Sequence, residues 1–232
     1  MTFFGRIAND LGQEPFFKDF KYRKRDSTFI QRFEGGWRRV RLRHITEGRL
    51  CSIYPTFSVR FDIAEKWFEK FSFRTLSDQR DSSTVGFEGV MLGYPSCFDI
   101  PTDGLDYDEL YADLRDMVIK CATYTFNTYK SIQDVYYNIV IPQVKGDKEM
   151  SSSGSDWFFR QLFISKIIDP EHFSDVKDVY FKHAAWMVSR NEPNMARYYY
   201  RMDEIISYLE SLDLDKMMQS NGKKVILRNP EK

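Results

Sequence analysis

The 232-residue sequence has no run of about 18 apolar residues, so nothing in it reads as a membrane-spanning helix. Its first residues, Met1 to Arg6, lack a basic stretch leading into an apolar one, and Asp10 and Gln13 come early. No secretory leader is expected there. Cysteine is scarce: Cys51, Cys97 and Cys121 are odd in number and widely spaced, which excludes a disulfide framework and a zinc pattern and favours a reducing cytoplasm. With 12 Gly and 8 Pro the chain is neither collagen-like nor of low complexity. Net charge is absent as well, 34 Lys and Arg standing against 34 Asp and Glu, so a globally basic nucleic-acid binder is excluded while a local patch is not.

Apolar and aromatic groups are plentiful. Hydrophobic residues make up 42% and aromatics 16%, enough to offset the entropy of ordering a core. Residues 3–13 carry Phe3, Phe4, Ile7 and Leu11 at helical spacing. From Phe16 the texture is that of strands: 16–24, then 28–33 after a turn at 25–27, then 37–45 after Glu34-Gly35-Gly36. In the third strand Val40, Leu42 and His44 alternate with Arg39, Arg41 and Arg43. A fourth strand, 50–61, puts Cys51, Ile53, Phe57, Val59 and Phe61 on one face and Tyr54, Thr56, Ser58 and Arg60 on the other. Pro55 calls for a bulge or an edge within it. Short turns between consecutive strands predict an antiparallel meander.

A short amphipathic helix is expected over 63–71, a strand near 84–92, and a long helix over 107–129 capped by Asp106 with Glu109. Residues 132–140 fit a helix or a strand ended by Pro142. Lys145 to Gly154 reads as a linker. Beyond it three helices are predicted: one capped by Ser155 or Asp156, one opened by Asp169-Pro170, and one running from Met195 to Leu212. A polar tail begins near Met217. The expected fold class is α+β: an antiparallel meander sheet packed on helices, with an all-helical C-terminal region. The expected division is 1–146 and 151–232, the helical region standing either as a domain of its own or packed as one unit with the first.

The run Phe20-Lys21-Tyr22-Arg23-Lys24-Arg25, with Thr28-Phe29-Ile30-Gln31-Arg32 and Trp37-Arg38-Arg39-Val40-Arg41-Leu42, resembles the bacterial DUF4304 type of domain over roughly residues 5–140. The resemblance implies a small α+β domain of unknown activity and transfers no catalytic residue. An immunity-type or defence-associated role is its only functional suggestion.

Between Lys18 and Arg49 there are eleven basic residues and four acidic ones. Arg39, Arg41 and Arg43 should form a row on the wet face of the sheet, joined by Arg60 and flanked by Trp37 and Tyr54. Such a row suits an acidic partner, either another protein or an acidic segment of the same chain, or nucleic acid; as a solvated strand face it would simply guard the sheet edge. Residues 99–116 hold seven acids against Arg115. As a calcium loop they fail, because Pro101 falls on a ligand position and Leu110 on the bidentate one; helix capping explains them better. His44 lies on the apolar strand face and is expected as a core imidazole. His172 and His183 are too far apart to share a metal, and His183 is placed beside no nucleophile. No catalytic residue, metal or cofactor is assigned. The leading expectation is a non-enzymatic cytoplasmic binding or adaptor protein with a protein partner or a second copy of itself. Nucleic-acid binding is the alternative and an enzyme the third reading.

Overall fold

The computed structural model describes residues 2–148, 150 and 155–213, leaving aside the side chains of Ser155 and Pro193. Most of the expected linker's Ser-rich end and all of the tail from Met217 lie outside the described residues. The fold is α+β, and the chain divides into two compact units, each built from non-consecutive stretches. One is Met1–Glu65 with Asp81–Lys130. The other is Lys66–Arg80 with the chain from Ser131 onward. The division therefore falls at neither end of the expected linker.

The first unit is a six-stranded, wholly antiparallel sheet: β1 (Lys21–Arg23), β2 (Thr28–Phe33), β3 (Gly36–Glu47), β4 (Leu50–Phe61), β5 (Val85–Glu88) and β6 (Phe98–Pro101). The first five lie in chain order, and β6 also pairs with β4, beyond β5. Helix α1 (Phe3–Gln13) buries Phe4, Ile7 and Leu11 of the expected stripe together with Ala8, and leaves Phe3 half-buried. Thr2 caps it through its side chain. Residues 16–20 are not a strand. Pro15 opens a single tight turn, and Phe16, Phe17 and Phe20 fold back onto Phe29 and Phe126, leaving only three residues of β1. Burial of aromatic area outweighs local β propensity there.

β3 and β4 form a hairpin of twelve paired residues a side, turning on Gly48, whose φ is +57°. Their apolar face holds Val40, Leu42, Cys51, Ile53, Phe57 and Val59, all fully buried. The long helix packs on it; after α2 (Asp62–Lys66) and α3 (Leu76–Asp81) it is α4 (Tyr107–Thr128), burying Leu114, Met117, Val118, Cys121, Ala122 and Phe126. Asp106 stands at its N-cap with φ +55° and makes no side-chain cap, contrary to expectation, because a left-handed backbone turns its carboxylate away from the first turn. Pro55 introduces no bulge. Leu42 donates its N–H to Ser27, on the β2 side, so Leu42 and Pro55 form a pair that exchanges no hydrogen bonds. The nitrogen of Pro55 faces the gap between β5 and β6, where a ladder bond is not required.

The second unit is helical in its described residues. Trp67, Phe68 and Phe71, expected on a helix over 63–71, follow α2 in a turn and are buried. Trp67 stacks on Phe163 and Phe68 on Phe159. Helix α5 (Ile132–Val135) starts at a capping box of Ser131 and Asp134, widens into a π-turn over Tyr136–Val140, and continues as α6 (Ile141–Lys145). Pro142 does not end this run. The π-turn has already broken the regular ladder where Pro has no N–H to offer. Helix α7 (Ser155–Ile168) is buried on nearly all sides, against α8 (Phe173–Ser189) and α9 (Pro193–Tyr199). Pro170 does not open α8, which begins three residues later; Asp169 instead accepts from Tyr136 and His172. The expected third helix breaks at Tyr200 into α9 and α10 (Met202–Glu210).

Candidate binding surface

The strand register sets the site. Trp37 lies opposite Arg60, Arg39 opposite Ser58, Arg41 opposite Thr56 and Arg43 opposite Tyr54. All six residues expected to form a surface thus share one face, as period-two alternation requires. What the sequence does not disclose is that much of this face is covered.

Asp81, at the end of α3, lies over the row. Its carboxylate meets Arg39 Nη1 at 3.0 Å, Arg41 Nη2 at 2.6 Å and Arg23 Nη2 at 3.2 Å. Asp26 closes the cluster by pairing with Arg23 and standing 4.0 Å from Arg41. Arg39 also donates to Ser58 and to the Asp81 carbonyl, and stacks over Trp37 at 4.4 Å. Only 7% of Arg39 is exposed, and burial lowers its pKa to about 10 while Asp81 opposes that shift. Burial pushes the Asp81 carboxyl up, but Arg39 and Arg41 outweigh it and hold the carboxyl below its ordinary range.

Arg60 is buried as well. It pairs with Asp62 at 2.7 Å and donates to the carbonyl and hydroxyl of Ser82. Ser82 and Thr84 in turn donate to the buried Glu65. Arg39 and Arg60 are therefore not part of a solvated row, which corrects the expectation. A buried guanidinium needs a counter-charge, and the strand pattern alone cannot say which distant carboxylate supplies it. Asp81, Asp26, Glu65 and Ser82 are the residues sequence reasoning missed. The only signal for them was the excess of arginine over acid within the strands.

The free part of the face is its far end. Arg43 and Arg49 are exposed and carry no ion pair among the described residues. Beside them Ile45 is 39% and Leu50 46% exposed, with half-buried Tyr54 across from Arg43. Register places Ile45 and Leu50 diagonally on the same face, Glu47 lying directly across from Leu50. The result is a small apolar patch rimmed by Arg43, Glu47 and Tyr54, with Arg49 in the adjoining turn.

The other sequence candidates disperse. His44 is exposed rather than core, its ring stacked on Phe4 at 3.6 Å; partial burial lowers its pKa. His172 pairs with Asp169 at 2.9 Å, which raises its pKa. His183 borders a cavity of about 10 Å3 within the second unit, with Gln161 and Tyr180, and its Nε2 has no hydrogen-bond partner among the described residues. The space fits a single water. In the acidic stretch Asp99 accepts from Ser52 and Asp103 from the backbone of Leu105. Among the described residues no three His, Cys, Asp or Glu side chains are grouped to hold a metal ion, and no helix is long and apolar enough to cross a membrane. Against known proteins, the chain matches no family model, no curated protein and no solved structure.

Proposed function

We propose that the protein is a binding or adaptor module whose partner is a protein, engaged at the exposed end of the β3–β4 hairpin. One observation carries this reading: Ile45 and Leu50 form an exposed apolar pair on a paired sheet, next to the exposed cations Arg43 and Arg49, which carry no ion pair among the described residues. An apolar centre with a polar rim is the anatomy of a protein interface. A phosphate-binding track needs a row of free guanidinium groups, and here Arg39, Arg41 and Arg60 are already held by Asp81, Asp62 and Ser82. The cysteines are free thiols, which supports a reducing, cytoplasmic setting. An immunity- or defence-associated role rests on the family resemblance alone.

The test is site-specific photo-crosslinking in the native cell. A benzophenone side chain at position 45 should give one discrete protein adduct. The same group at Tyr200, 84% exposed in the second unit, should give none. A nuclease-sensitive adduct at position 45 would replace the protein reading with nucleic-acid binding. An identical adduct pattern from both positions would sink the assignment of this surface.

A further inference from the structure

The partner at this surface can be specified further, resting on the reading above. β2 pairs with β3 only over Gly36–Arg41, so among the described residues the end of β3 has a neighbouring strand, β4, on one side alone. The hydrogen bond from Leu42 N–H to Ser27 fixes which residues turn toward the empty side: Leu42, and by alternation His44 and Thr46. Among the described residues no hydrogen bond closes on the backbone of His44 or Thr46, and residues 43–47 are all exposed. This is an open sheet edge that carries the charges of Arg43 and Glu47 but no lysine or proline.

We propose that a second copy of this chain pairs antiparallel along that edge, about a two-fold axis at Ile45. In that register His44 faces Thr46 of the partner subunit, and each such pair exchanges two backbone hydrogen bonds, four across the interface. Ile45 meets its own symmetry mate on the axis. Arg43 faces the partner's Glu47, and Glu47 the partner's Arg43, on the same face and in the pairs where side chains approach closest. The edge is thus complementary to itself in hydrogen bonding, charge and apolar contact at once. An acidic foreign strand would satisfy Arg43 but bring a like charge against Glu47. Five residues a side make a small interface, so the association is weak and concentration-dependent.

Sedimentation velocity from low micromolar to millimolar protein tests this. The intact chain should shift from monomer to dimer, with the His44 and Thr46 amides gaining protection from hydrogen exchange as it does. Arg43→Glu and Glu47→Arg should each weaken dimerisation about ten-fold or more, and the double exchange should restore it. Thr46→Pro, which removes an edge donor at an exposed position, should abolish it; far-UV circular dichroism verifies that each variant is folded. A monomer at every concentration overturns the proposal, as does a dimer indifferent to the charge exchange. If position 45 then crosslinks only to a different protein, the dimer is disproved while the protein-binding reading stands.

Discussion

Gly36 tolerates only hydrogen. A Cβ there would lie 1.9 Å from the Arg60 carbonyl oxygen and 2.9 Å from the Phe33 ring, and the obstacle is backbone rather than a flexible side-chain tip. The conflict is within the β3–β4 ladder, since Gly36 pairs with Phe61. Gly36→Ala should therefore cost about 1–3 kcal/mol or more in a urea titration, whereas Ala at Gly86, where a Cβ meets nothing within 4 Å, should cost little. Equal losses at the two positions would show that the close approach does not matter. Asp81 makes the second residue-scale prediction. Its folded-state pKa is lowered, so its contribution is complete above the ordinary carboxylate range and disappears as pH falls through the folded value. Asp81→Asn removes that charge and leaves Arg39 buried beside Arg41. It should lose about 1–3 kcal/mol near pH 7, the exposure of Asp81 keeping the loss below that of a fully buried pair. The gap between the two proteins should close below about pH 4; a gap that does not change with pH would remove Asp81 from this role.

Elements were legible where period and length agreed. β2, β3, β4 and α4 lie within two residues of their expected limits, because strict alternation or a sustained helical stripe leaves few alternatives. Legibility failed where tertiary contacts overrode a local signal: at Phe16 and Phe17, drawn onto Phe29 and Phe126, at Pro142, absorbed by a π-turn, and at β6, whose four residues form a strand only because β4 offers an edge beyond β5. The site divides in the same way. Which residues share its face follows from parity, but which of them are free depends on Asp81, some forty residues away in the chain. Residues 66–71 show the element-scale consequence. The apolar spacing there marks burial, but the helix expected over 63–71 stops at Lys66, and the rings of Trp67, Phe68 and Phe71 serve as anchors in the helical unit. Phe68 is 1% exposed and packs on Phe159 and Tyr198. Phe68→Ala should destabilise by about 3–5 kcal/mol. A loss under about 1 kcal/mol would mean that this segment is a surface strap rather than part of the core.

At the scale of the whole molecule, composition change located a linker, but contacts place the division differently. A chain cut after residue 146 would keep Trp67, Phe68 and Phe71 yet lose Phe159, Phe163, Tyr198 and Tyr208, the rings they pack on. Ile132, Val135, Tyr136, Ile139 and Val140, all buried, would be left with the same fragment and without α7. The chain passes between the two units after Glu65, after Arg80 and after Lys130, so no single cut separates them. The fragment 1–146 should therefore be expanded or aggregated, binding the dye ANS and showing no sharp thermal transition, while the intact chain unfolds cooperatively. A fragment 1–146 with dispersed amide resonances and a cooperative transition would return the boundary to the linker, and would require residues 66–80 to find their burial without the helices that follow.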